Sequence, residues 1–118
     1  MFKDIARKWT AALRSGKYRK TQGILCKVDK YGNKSHCCLG VLTELYNKEH
    51  KNEKVNVFGG ASLDFKVVKW AGMNDGFGYI RGASEVERDS LIKINDCKRS
   101  RHSFKRIADI IEKNVENL

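Results

Sequence analysis

Residues 23–46 read GILCKVDKYGNKSHCCLGVLTELY, and the spacing of their apolar side chains changes partway through. Residues 23–29 (GILCKVD) have the composition and bounds of a strand. Residues 30–34 (KYGNK) carry the glycine of a turn, and residues 35–38 return as a second strand. From Leu39 onward the apolar positions are Leu39, Val41, Leu42, Leu45 and Tyr46, which is helical spacing. A two-stranded hairpin is marginal alone and must pack against helices, so this stretch predicts an α+β chain rather than an all-helical one. Gly40 falls inside the predicted helix, where a missing Cβ permits close approach of another backbone or of a ligand.

On the N-terminal side, Phe2, Ile5, Ala6, Trp9, Ala12 and Leu13 recur at helical spacing, with Lys3, Asp4, Arg7 and Lys8 on the opposite face. That pattern predicts an amphipathic helix of about three turns. Ser15 and Gly16 supply its stop, and Arg14 lies in the last turn, where a cation suits the helix dipole. Trp9 lies on the apolar stripe and is read as core.

On the C-terminal side, residues 47–61 (NKEHKNEKVNVFGGA) are polar and glycine-punctuated, as expected of a loop with a short extended piece over residues 55–58. Ser62 is expected to cap a third helix containing Leu63, Phe65, Val67, Val68 and Trp70, with Gly72 as its stop. Residues 74–79 (NDGFGY) read as a turn-rich loop. Ser84 and Glu87 have capping-box spacing ahead of a fourth helix with Val86, Leu91, Ile92 and Ile94, which Asn95 and Asp96 end. Residues 98–102 (KRSRH) form a basic connector, read as solvated. Ser103 then caps a last helix with Phe104, Ile107, Ala108, Ile110 and Ile111 apolar. No repeat and no linker interrupts the chain, so residues 1–118 are expected to form one mainly helical domain with a small antiparallel β-hairpin.

Composition narrows the function classes. The chain has 118 residues, 41% of them hydrophobic, and no proline, which suits one folded domain with a modest core. No apolar run approaches the ~18 residues of a membrane span. The N-terminus carries an early acid, Asp4, and does not read as a signal peptide, so residence in a cytoplasm is expected. Cys26, Cys37, Cys38 and Cys97 lack CxxC spacing and two are adjacent, so they are read as reduced and structural, with no metal site and no cofactor.

The net charge is +10 and is unevenly spread. Residues 1–36 hold 10 basic and 2 acidic side chains, whereas residues 37–118 hold 14 and 12. A basic N-terminal third implies an anionic partner such as a nucleotide, a nucleic acid or an acidic protein.

No enzymatic arrangement is legible. His36 precedes Cys37 and Cys38, but neighbours on a strand point to opposite faces, which separates a His36–Cys37 pair. There is no Walker A or GxGxxG loop, and residues 58–60 (FGG) and 76–78 (GFG) are too short to specify a phosphate cradle. No RNP1 or C2H2 signature of nucleic-acid binding is present.

What remains is the cluster Arg14, Ser15, Gly16, Lys17, Tyr18, Arg19 and Lys20. Arginine can grip a phosphate with two parallel donors, backbone amides after Gly16 can add to it, and a tyrosine ring can stack on a base. His36, Asn95 and Asp96 are further candidates, Asp96 as an acceptor from a sugar hydroxyl or as a group that orients Arg14.

Four blocks taken together resemble a small family of tailed-phage proteins: WTAALRSGKY over residues 9–18, CCLGVL over residues 37–42, LIKIND over residues 91–96, and SF at residues 103–104 with IADIIE over residues 107–112. The resemblance covers most of the chain. It implies a phage accessory protein acting in the cytoplasm of an infected bacterium. Compact phage proteins without catalytic motifs include nucleotide sponges of the anti-CBASS and anti-Thoeris kind, which sequester cyclic nucleotide immune signals as oligomers. On that likeness of class, the expected function is binding of a cyclic nucleotide without cleavage, by a homo-oligomer. The alternative is a basic nucleic-acid-binding host-takeover protein, and a third reading is an inhibitor of a host enzyme.

Overall fold

A computed structural model describes residues 1–82, 90–99 and 101–118. In chain order the elements are α1 (Lys3–Arg14), β1 (Cys26–Val28), β2 (Lys34–His36), α2 (Cys38–Glu49), α3 (Phe65–Ala71), α4 (Leu91–Asp96), α5 (Phe104–Lys113) and a 3-10 turn at Val115–Asn117. The chain is an α+β domain, mainly helical, with one small antiparallel hairpin in the register Cys26↔His36, Lys27↔Ser35, Val28↔Lys34. At the hairpin turn the Asp29 carboxylate accepts from the amides of Tyr31 (2.8 Å) and Asn33 (2.9 Å), and Gly32 takes a positive φ of 82°.

α2 is the axis of the molecule. Its Leu39, Val41 and Leu42 have no solvent exposure, and it packs against α1, α3 and α4 while α5 packs mainly on α1. α1 turns Ile5, Ala6, Trp9 and Leu13 inward, as its apolar stripe requires, and Trp9 is fully buried. Gly40 is where α2 meets the hairpin: a Cβ there would collide with the carbonyl group of Leu25. The close approach expected of Gly40 is therefore to backbone. Trp70 lies at the edge of the core, edge-on to Tyr46 and donating its indole N–H to Glu49 at 3.2 Å.

Several boundaries depart from the sequence reading. The second strand stops at His36, because Cys37 is the N-cap of α2, its Sγ accepting from the Gly40 amide at 3.4 Å, and Cys38 is already helical. The first strand is shorter than residues 23–29, since Gly23 adopts a positive φ of 78° and the Leu25 amide bonds to the Gly60 carbonyl. α3 is capped by Asp64 and not by Ser62; the Asp64 carboxylate accepts from the Lys66 amide at 2.8 Å, and Leu63 enters the core ahead of the helix. Gly72 ends α3 at a φ of 67°. The Ser84–Glu87 capping box and Val86 lie outside the described residues. α4 begins at Leu91 and is capped by Ser90, whose hydroxyl accepts from the Lys93 amide at 3.3 Å.

Cys26, Cys37 and Cys38 are buried and Cys97 is partly exposed. Burial raises the pKa of the first three thiols, most strongly at Cys38. Among the described residues no group of His, Cys, Asp and Glu is arranged to hold a metal ion, and no helix is long and apolar enough to cross a membrane.

Candidate functional site

The side chains nominated from sequence divide into two sets. Asn95 is fully buried and joins three elements: its Oδ1 accepts from the Cys38 amide (3.0 Å), while its Nδ2 donates to the Thr21 carbonyl and to the Asp96 carboxylate, both at 2.9 Å. The same Asp96 oxygen accepts from the Gly23 amide at 3.0 Å. Trp9 Nε1 donates to the Cys38 carbonyl at 2.9 Å. This network ties the end of α4 to the start of α2, to α1 and to the loop of residues 20–23. Asn95, expected to meet a ligand, instead satisfies backbone groups that would be costly to bury unpaired. Asp96, expected there too, is engaged by Asn95 and the Gly23 amide.

His36 is also interior, 4% exposed, and its ring has no hydrogen-bond partner among the described residues. Tyr18 meets it edge-on with centroids 5.3 Å apart, and Glu44 Oε2 is 3.9 Å from Nε2. Burial lowers the pKa of His36, Glu44 opposes that shift, and Lys34 adds to it. The backbone of His36 carries its structural role: its amide donates to the Arg19 carbonyl (2.7 Å) and its carbonyl accepts from the Thr21 amide (2.8 Å). The hairpin thus positions the basic loop along its own edge, with Lys20 bridged to His36. The expectation that the His36 ring contacts ligand is corrected: the ring is enclosed.

Arg14 is engaged as well. Its guanidinium spans Asp109 (2.8 Å) and Glu112 (3.0 Å) on α5, and those two hydrogen bonds raise its pKa. An arginine already matched by two carboxylates is a poor grip for a phosphate. Asp96 does not orient it, since Asp96 is committed to Gly23 and Asn95. Ser15 donates to the Ala12 carbonyl at 2.6 Å and accepts from the Lys17 amide at 3.2 Å, which closes the α1 terminus around Gly16. Lys17 and Arg19 are exposed.

Two surface depressions meet beside these residues. One, of ≈ 740 Å³, is lined by Lys20, Thr21, Gln22, Lys98, Arg101, His102 and Ser103; none of these described residues is acidic. The other, of ≈ 280 Å³, is lined by Leu13, Arg14, Gly16, Tyr18, Lys20, Ser103, Phe104 and Lys105. Lys20 and Ser103 line both, so the two are adjacent. Lys20 donates to the Asn95 carbonyl at 2.7 Å, which fixes the ammonium and leaves further N–H donors on it. Ser103 caps α5, accepting from the Arg106 amide at 3.2 Å, so the positive end of the ten-residue α5 dipole adds to this field. Arg101 holds a positive φ of 42°, and its amide donates to the Cys97 carbonyl at 3.1 Å. His102 Nδ1 is buried without a partner among the described residues, and burial first, then Arg106 and Lys20, lower its pKa.

The sequence reading therefore found Tyr18 and Lys20 but passed over Lys98, Arg101 and His102 as a solvated connector. The basic run itself was visible; its convergence on Lys20, some 80 residues earlier in the chain, was not.

A family model, a domain of unknown function designated DUF8296, matches residues 1–115. The chain belongs to the DUF8296 family. No curated protein and no solved structure matches it significantly. The DUF8296 chain places a cationic depression and an apolar one side by side.

Proposed function

We propose that the protein binds phosphodiester ligands at the Lys20 face without altering them. The observation that carries this reading is the junction at Lys20 and Ser103 of a cationic depression, free of acids among the described residues, with one lined by Leu13, Tyr18 and Phe104. Phosphate fits the first through charge-assisted hydrogen bonds, and a base fits against the second. The described residues on this face offer no nucleophile paired with a base. His102 Nδ1 has no hydrogen-bond partner among the described residues, and Tyr18 is committed to His36 and Lys48.

Both depressions are open to solvent, which favours nucleic acid, whose backbone continues past the site. Binding to labelled oligonucleotides should weaken steeply with salt, because each neutralised phosphate releases counterions. A flat response to salt, or no binding, removes this reading.

The second reading is a phage counter-defence protein that sequesters a cyclic nucleotide immune signal in the infected bacterium. The Tyr18–Phe104 depression favours it, being small, ≈ 280 Å³, and largely apolar with Lys20 and Lys105 among its lining residues. A site this open needs a second copy of the chain to enclose so small a ligand, so the reading includes a homo-oligomer. Calorimetric titration with a panel of cyclic di- and trinucleotides, with ligand recovered after denaturation, separates the cases. Saturable uptake of intact ligand by an oligomer supports sequestration, and cleaved ligand overturns both readings.

A further inference from the structure

A third depression, of ≈ 360 Å³, lies on the outer side of α2 and is lined by Lys34, Lys48, Lys51 and Lys54 together with Asn47 and Phe58, among others. Its acid, Glu44, is the carboxylate that faces the buried His36. Phe58 is 48% exposed, and Lys34 Nζ lies 5.7 Å from its ring centroid. The join to the first two depressions is Tyr18. Its ring lines the apolar one, its hydroxyl accepts from Lys48 Nζ at 3.4 Å, and the same ammonium is 5.9 Å from the ring centroid. Shared lining residues and the Lys48–Tyr18 contact therefore link the cations and rings in sequence: Lys98 and Arg101, Lys20, Tyr18, Lys48, then Lys51 and Lys54 with Phe58.

We infer that these three depressions form one track for single-stranded nucleic acid, several nucleotides long. This rests on the phosphodiester reading above and extends it in length and strandedness. Spaced ammonium groups follow a backbone, and rings between them take unpaired bases, which a duplex keeps stacked inside. None of the three depressions presents a helix that projects into a groove. The basic residues are scattered over loops, β2 (Lys34), the end of α2 (Lys48) and the start of α5 (Lys105) rather than set along one helix, an arrangement suited to a flexible strand.

The test is fluorescence anisotropy with fluorescein-labelled oligothymidylates and oligouridylates of about two, four, eight and sixteen nucleotides, spanning the usual range of single-strand sites. A hairpin duplex is run beside them. Affinity should rise up to about eight nucleotides and then level off. Lys51→Ala/Lys54→Ala, checked by thermal melting, should weaken eight-nucleotide binding about tenfold, lower its salt slope by about two and leave the two-nucleotide probe unaffected. Phe58→Ala should behave in the same length-dependent way. Equal affinity from two nucleotides upward, with Lys51→Ala/Lys54→Ala silent, overturns the track while leaving the Lys20 site standing. No binding at any length overturns both. Duplex binding as tight as single-strand binding overturns the assignment to an unpaired strand. A preference between the thymidylate and uridylate series distinguishes DNA from RNA.

Discussion

Asn95 and Lys98 are three residues apart and belong to different chemistries. At Asn95 every polar atom of the amide is met by backbone or by Asp96, and no water reaches it. At Lys98 the chain has turned outward, and the side chain lines an open depression with Lys20 and Arg101. The inner set is polar because folding left backbone groups that needed partners; in the outer set only Lys20 meets such a group, the Asn95 carbonyl, and Lys98 is exposed. Residue type does not distinguish these two causes. Only the count of satisfied partners does.

The largest effect expected from this comparison is on the inner side. Asn95→Ala leaves the Cys38 amide, the Thr21 carbonyl and Asp96 short of partners, and should cost about 3 kcal/mol of stability in denaturant unfolding. A loss below about 1 kcal/mol would mean that the network is not what joins α4, α2 and the basic loop.

Next is Lys98→Ala/Arg101→Ala, which should lower affinity for a labelled single strand about 30-fold, as expected for two charge-assisted contacts, with unchanged melting. If melting falls and binding does not, the outer set is structural too and the comparison collapses.

The third prediction concerns pH. His36 is buried with its pKa held below the ordinary histidine value of 6.5. The unfolded chain therefore binds a proton that the native chain does not. Stability should fall as pH drops below about 6.5 and lose no further ground once the native pKa is passed. His36→Phe keeps the edge contact to Tyr18 and should flatten the His36 part of the slope in melts between neutral and mildly acidic pH. An identical slope in His36→Phe would assign it to other groups, His102 among them.

The smallest effect is at Arg14. Because Asp109 and Glu112 already match its charge, Arg14→Gln should change strand affinity less than about twofold. A tenfold loss would show that ligand displaces the two acids, and would return Arg14 to the site.

Periodicity and capping carried most of the fold in the sequence. The α1 stripe, its stop at Gly16, the turn at Gly32, the Gly72 terminus and the Ser103 cap all depend on residues within a few positions of one another. Where the reading slipped, a tertiary partner decided. Cys38 became helical beside Asn95, and α3 waited for Asp64 while Leu63 paired with Gly76. The site was less legible for the same reason. Arg14 was spent on α5, Asn95 and His36 were drawn inside, and the connector over residues 98–102 gained meaning only through Lys20.

The hierarchy of the cysteines has a practical consequence. Three thiols are sheltered and held protonated, while Cys97 is partly exposed and immediately precedes Lys98. A maleimide dye should therefore leave Cys26, Cys37 and Cys38 untouched while the chain is native and reach them only when it opens. The wild-type sequence thus carries its own reporter of opening, because the delayed labelling of those three thiols times the exposure of the interior around α2.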